Sequence, residues 1–148
     1  MYVPPLGAIL SNLGIDLQEF AHAENVRVPT SLLRFLLQLA LVNSDFSEDT
    51  YLAENPDVAD AVRTGQIENP RLHYLGNGYF EGRTGGGPPL DEEWYLRTYP
   101  DVADAVANGR VASAAEHFQS VGARELRAPN SLYEPDAVEW GKAFGKEP

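Results

Sequence analysis

The chain repeats itself, and that repeat limits what it can fold into. Tyr51-Leu52 followed by Pro56-Asp57-Val58-Ala59-Asp60-Ala61-Val62 returns 44 positions later as Tyr95-Leu96 followed by Pro100-Asp101-Val102-Ala103-Asp104-Ala105-Val106. The same offset carries Gly65 onto Gly109, His73 onto His117, Gly78 onto Gly122, Glu81 onto Glu125 and Arg83 onto Arg127. A gapless duplication of this kind marks one structural unit used twice. A residue present in both copies reads as scaffold, and a residue present in one copy is freer to carry function.

Each copy reads as three short helices. The first starts at Ser47 or Asp91 and carries Tyr51-Leu52 or Tyr95-Leu96 inward. The second opens with Pro56 or Pro100 at its first position, where the missing N–H costs nothing, and Asp57 or Asp101 follows where a carboxylate complements the helix dipole. Gly65 or Gly109 ends it in the left-handed conformation that glycine tolerates. The third is capped by Asn69 before Pro70, or by Ser113 with Glu116 three residues on, a capping-box pattern; Gly78 and Gly122 close it. Gly85-Gly86-Gly87 between the copies reads as a flexible joint. It lacks the Lys and Ser/Thr of a phosphate-binding loop.

Around the repeats, the sequence divides into a leader over 1–28, a helix over 29–44, repeat 1 over 45–84, repeat 2 over 89–128 and a helical tail over 129–148. In the leader, Leu6, Ile9, Leu10, Leu13 and Leu17 recur at helical steps, with Gly7 and Gly14 weakening any single long helix. The next helix, capped by Thr30 or Ser31, is apolar at Leu32, Leu33, Phe35, Leu36, Leu37, Leu39, Ala40, Leu41 and Val42. A helix apolar nearly all round is expected at the centre of a core. Ala137, Trp140 and Phe144 give the tail helical spacing. No segment alternates apolar and polar residues as a strand does, so the expected fold is all-α: two three-helix units stacked on an apolar central helix.

Composition narrows the function classes. A net charge of -11 argues against nucleic acid and anionic lipid as partners. The absence of cysteine excludes disulfides, thiolate metal sites and thiol catalysis. The apolar run from Leu32 to Val42 is interrupted by Arg34 and Gln38, and it falls short of the roughly 20 residues a membrane span needs. No basic residue precedes the first apolar stretch, so no secretory signal is expected; the protein is expected to be made in the cytoplasm and to act in a released particle or at the cell surface.

The pattern of Tyr-Leu, Pro-Asp-Val-Ala, Gly, His-aromatic, Gly and Glu-x-Arg resembles a short helical repeat of bacterial envelope biology, found with polysaccharide glycosyltransferases and exported surface proteins. The residues that carry it are Tyr51-Leu52, Pro56-Asp57-Val58-Ala59, Gly65, His73-Tyr74, Gly78, Glu81 and Arg83. The second copy supplies Tyr95-Leu96, Pro100-Asp101-Val102-Ala103, Gly109, His117-Phe118, Gly122, Glu125 and Arg127. A small protein of this kind also resembles the capsule-recognising head spikes of phage-like gene transfer agents. The resemblance implies a non-catalytic module that works near bacterial polysaccharide, as a homo-oligomer or within a larger assembly. The competing expectation is a purely structural adaptor for a particle or a polysaccharide-synthesis enzyme.

Candidate chemistry is weighed against scaffold roles. His73 and His117 occupy equivalent positions, and a metal pair would need them to converge with further carboxylates; a structural role needs only one hydrogen-bond partner each. Asp57, Asp60, Asp101 and Asp104 would need to face one sugar across a cleft to act as a glycosidase pair, and their helix positions explain them without it. No nucleophile–base motif is present, so no catalytic residue, metal or cofactor is expected. Tyr79, Phe80, Trp94 and Tyr99 occur in one copy only, with Trp94 in the place of Thr50 and Tyr99 in that of Asn55. Flat aromatic faces beside polar groups suit sugar rings, so Tyr79 with Arg83, and Trp94 and Tyr99 with Arg97, form the expected glycan contacts. Core or subunit packing is the other use of the same residues.

Overall fold

The computed structural model describes residues 2–146; Met1 of the leader and Glu147 and Pro148 of the tail lie outside the described residues. The protein is all-α, with no strand among the described residues. It divides into two units, one reaching to Asn43 and one starting at Ser44.

In the first unit, helix α1 (Leu6–Leu13) ends at Gly14, whose φ of 72° lets its N–H and that of Ile15 close back on the helix. Helix α2 (Leu17–His22) is capped by Asp16, which accepts from the Glu19 N–H at 2.8 Å. Helix α3 (Thr30–Val42) departs from expectation twice. Its N-cap is Pro29 and no side chain caps it. None of its residues is buried, and Leu33, Phe35, Leu36 and Val42 are 47–56% exposed. Within its own unit, the apolar helix expected at the centre of a core is not buried. Apolar composition decides that a segment seeks burial, but its neighbours decide whether it finds any. This unit offers α3 only two short helices, and Leu10 is its one buried residue among those described.

In the second unit, α4 (Glu48–Glu54), α5 (Pro56–Arg63) and α6 (Pro70–Gly76) lead into a 3₁₀ turn at Gly78–Glu81. Helices α7 (Glu92–Thr98), α8 (Pro100–Ala107) and α9 (Ala114–His117) lead into a π turn at Phe118–Gly122. A 3₁₀ turn at Ser131–Tyr133 then precedes α10 (Glu134–Ala143). The two third helices differ. The four-residue α9 gives way to the π turn where the Ser120 hydroxyl donates to the Glu116 carbonyl at 2.7 Å, a local competitor of the helix ladder.

The same contacts hold both sets of helices. Tyr51 and Tyr95 are fully buried, and each hydroxyl shares a 3.0 Å hydrogen bond with Nδ1 of a histidine 22 residues on, His73 or His117. Gly78 and Gly122 lie directly beneath those hydroxyls, where a Cβ would overlap the tyrosine oxygen. Their role is thus to admit the tyrosine, and neither adopts a positive φ as a helix-closing glycine does. Arg83 joins Asp57 (2.8 Å) to Glu81 (2.7 Å), and Arg127 joins Asp101 (2.7 Å) to Glu125 (2.7 Å). Gly65 and Gly109 end α5 and α8 at φ of 75° and 68°.

The exit from each set is tied back by different chemistry. The buried Asn55 amide donates to the Tyr51 carbonyl (2.8 Å) and the Thr84 carbonyl (3.0 Å). Its counterpart Tyr99 instead accepts from the Ala128 N–H at 2.9 Å. The Gly85–Gly87 segment is packed, contrary to the flexible joint expected. Gly86 is buried against the Tyr74 ring with no space for a Cβ, and a Cβ on Gly85 would stand 2.8 Å from the Thr50 carbonyl oxygen.

This packing sets an order of mutational effects. Gly122→Ala is expected to cost about 1–3 kcal/mol by overpacking, more than the overlap-free Gly109→Ala, which meets only the left-handed penalty of ~1–2 kcal/mol. Adding Tyr95→Phe to Gly122→Ala removes the overlapping oxygen, so the double variant should be more stable than the two single losses sum to. Urea unfolding of the parent, the three single variants and the double variant measures this, and a strictly additive double variant would contradict the packing described.

Candidate functional site

Between the two sets of helices, within the second unit, lies an open cleft of about 500 Å³. That volume falls in the range of roughly 300–1,000 Å³ usual for ligand pockets. Its aromatic walls are Tyr74 on α6 and Phe118 at the π turn, residues at equivalent repeat positions. Its polar groups are Thr50 and Glu54 on α4, Glu92 in the first turn of α7, Gln119 at the π turn, and Arg83 and Thr84 beyond the 3₁₀ turn. Gly85, Gly86, Gly87, Pro88 and Pro89 complete much of the lining. The Gln119 amide donates to Glu54 Oε1 at 3.1 Å, linking the two sets.

The cleft exists where the repeats differ. Ala115 and Ala123 line it, and the corresponding residues of repeat 1 are Arg71 and Tyr79. Thr50 lines it where repeat 2 has Trp94, and Glu54 and Gln119 correspond to Thr98 and Leu75. Small residues leave the space, and Glu54 and Gln119, acceptors found in one copy only, join Glu92, whose counterpart is Glu48.

The sequence-derived candidates are placed differently from one another. Arg83 lines the cleft, but its guanidinium is engaged by Asp57, Glu81 and the Asn55 side-chain oxygen (3.3 Å). Tyr79 is 37% exposed and stands edge-on to the lining ring of Tyr74, with centroids 5.9 Å apart. Trp94 packs on the core of Tyr95, Val102 and Ala114, and edge-on to Tyr99 at 6.1 Å. The Tyr99 ring lies against Tyr95 at 4.7 Å and under the Arg127 guanidinium at 4.8 Å. Arg97 is an exposed partner of Glu93 at 3.3 Å, a pair worth ~0–1 kcal/mol. Trp94, Arg97 and Tyr99 do not line the cleft. The residues that sequence reasoning overlooked are Glu54, Glu92, Phe118 and Gln119. The departure of Gln119 from Leu75 between the copies was the available signal.

Electrostatics separates scaffold from site. The side-chain hydrogen bonds from Arg83 and Arg127 hold Asp57 and Asp101 below the ordinary carboxylate value. A general acid at neutral pH needs the opposite shift. Burial pushes Tyr74 and Tyr95 up to about 12. Among the described residues there is no group of three or more His, Asp or Glu able to hold a metal ion. No helix among them is long and apolar enough to cross a membrane. No family model, curated protein or solved structure matches the chain. Chemically, the cleft presents flat rings, carboxylate and amide acceptors, and backbone, which together suit an uncharged, hydroxyl-bearing ligand.

The tyrosines give a pH signature. Their folded values lie above the unfolded value of 10.0, so the fold favours the neutral phenol. That stability is fully present below pH 10 and is lost as pH climbs from 10 toward 12. The tyrosinate absorbance that Tyr74→Phe removes, read as the difference between parent and variant, should rise in this window together with helix loss by circular dichroism; that difference appearing at pH 10 in a fully helical protein would refute the burial.

Proposed function

We propose that the protein is a non-catalytic binding module that recognises bacterial surface or capsular polysaccharide and works as an oligomeric adhesin or particle head spike. The observation that carries this reading is the inter-repeat cleft, which combines the Tyr74 and Phe118 rings with Glu54, Glu92 and Gln119. Sugar C–H faces stack on such rings, while carboxylate and amide oxygens accept from hydroxyls. The resemblance of the repeat to envelope-associated modules supports the same ligand class. The scaffold roles of His73, His117, Asp57 and Asp101 leave the binding of a ligand, not its conversion, as the use of the cleft.

Oligomerisation is the second part of the reading. In the first unit Leu17, Phe20, Leu33, Phe35, Leu36 and Val42 are each 46% exposed or more. Apolar exposure on this scale marks association. Multivalent display raises weak per-site affinity by ~10²–10⁴ where geometry allows simultaneous contact. The same apolar residues favour the second reading, in which the chain docks a larger particle and touches no sugar.

A glycan array probed with purified protein separates the two. Thr50→Trp and Ala123→Tyr place in the cleft the side chains that the other repeat carries, and each is expected to abolish retention while helicity is unchanged. Retention by both plugged variants would remove the cleft from the account, and no retention by the parent would favour the adaptor. In sedimentation velocity the parent is expected to run as an oligomer and Phe35→Glu/Leu36→Glu as a monomer of unchanged helix content; a monomeric parent would remove the avidity argument.

A further inference from the structure

We propose that the cleft selects sugars without acidic groups and rejects uronate- or phosphate-bearing ones; the inference rests on the glycan-binding reading and specifies its ligand. Two acidic residues line the cleft, one from each set of helices: Glu54 near the end of α4 and Glu92 in the first turn of α7. Only one cationic residue, Arg83, is among the lining residues. Its Nε donates to Glu81 at 2.7 Å, and one terminal nitrogen donates to both Asp57 (2.9 Å) and Asn55 (3.3 Å). The other terminal nitrogen stands 2.8 Å from the second Asp57 oxygen. Four of the five guanidinium hydrogens are thereby directed at acceptors of the scaffold, and the charge is compensated by two carboxylates. Little is left to receive an anion.

The acceptors of the cleft do the reverse. Each carboxylate offers two oxygens to hydroxyl donors, in hydrogen bonds strengthened by charge. Gln119 donates to one Glu54 oxygen and so holds that side chain toward the opposite set of helices. A pyranose with free hydroxyls satisfies these groups. A sugar carboxylate at the same place meets like charge, and the strongly acidic chain around it adds to the repulsion. The distribution of charge is thus a filter superimposed on a contact surface that any sugar ring fits.

The test uses matched pairs: soluble glucan, galactan and mannan, each alongside its own C6-oxidised uronate form, titrated against the full chain by calorimetry. The parent is expected to bind at least one neutral polymer about ten-fold or more tightly than its oxidised counterpart, as like-charge rejection requires. Glu54→Gln/Glu92→Gln keeps size and one acceptor oxygen on each side chain but removes both charges, and should narrow that ratio to within about three-fold. An oxidised form that binds the parent as tightly as its neutral parent polymer overturns this inference and leaves the glycan reading standing. An unchanged ratio in the double variant does the same. No binding to any polymer in either set overturns the glycan reading and the filter together.

Discussion

A buried tyrosine hydroxyl bonded to a histidine, over a glycine that cannot carry a side chain, holds each half of the helical scaffold. The three groups come from three different segments: the first helix, the third helix and the turn after it. A phenol inside an apolar core needs a partner for its O–H, and the histidine supplies one without introducing a second unsatisfied group. No described buried side-chain polar atom lacks a partner. The arginine that links Asp57 with Glu81, or Asp101 with Glu125, then fastens the start of the second helix to the end of that turn or to the residues just beyond it. With helices of four to eight residues in each set, isolated helix stability is negligible. These cross-links and the valines packed beside them, Val58 and Val102, must supply what propensity does not.

Once two sets share one scaffold, their differences define the surface between them. Ala115 and Ala123 act by being small, and Thr50 acts by not being tryptophan. Glu54 and Gln119 then meet across the opening, and the rings of Tyr74 and Phe118 form its walls. The scaffold groups are saturated by one another, while those of the cleft retain acceptor capacity. That contrast is what supports the binding role proposed for the cleft.

The first unit and the tail follow a different logic. Their apolar residues outnumber what their own short helices can cover. Trp140 and Phe144 stack on each other at 6.1 Å and remain half or more exposed, and α3 presents leucine and phenylalanine on several faces. Apolar surface of this extent is what the association proposed above would cover.

Much of this was legible in the residues alone. Pro56 and Pro100, Asn69, Asp91 and Ser113 place helix starts by local chemistry, and Gly65 and Gly109 place helix ends, because caps depend only on near neighbours. The duplication likewise marked the Tyr, His, Gly, Glu and Arg positions as scaffold. Their pairings needed coordinates: the bond between Tyr51 and His73 spans 22 residues, and the overlap that forbids a side chain at Gly78 has no local signature. Gly85 and Gly86, which read as part of a joint, are packed against Thr50 and Tyr74, and an apolar helix that reads as core has no buried residue, for the same reason. Helix type and register are written in nearest-neighbour chemistry. Burial and cavities belong to whichever surfaces meet, and only the tertiary arrangement says which do.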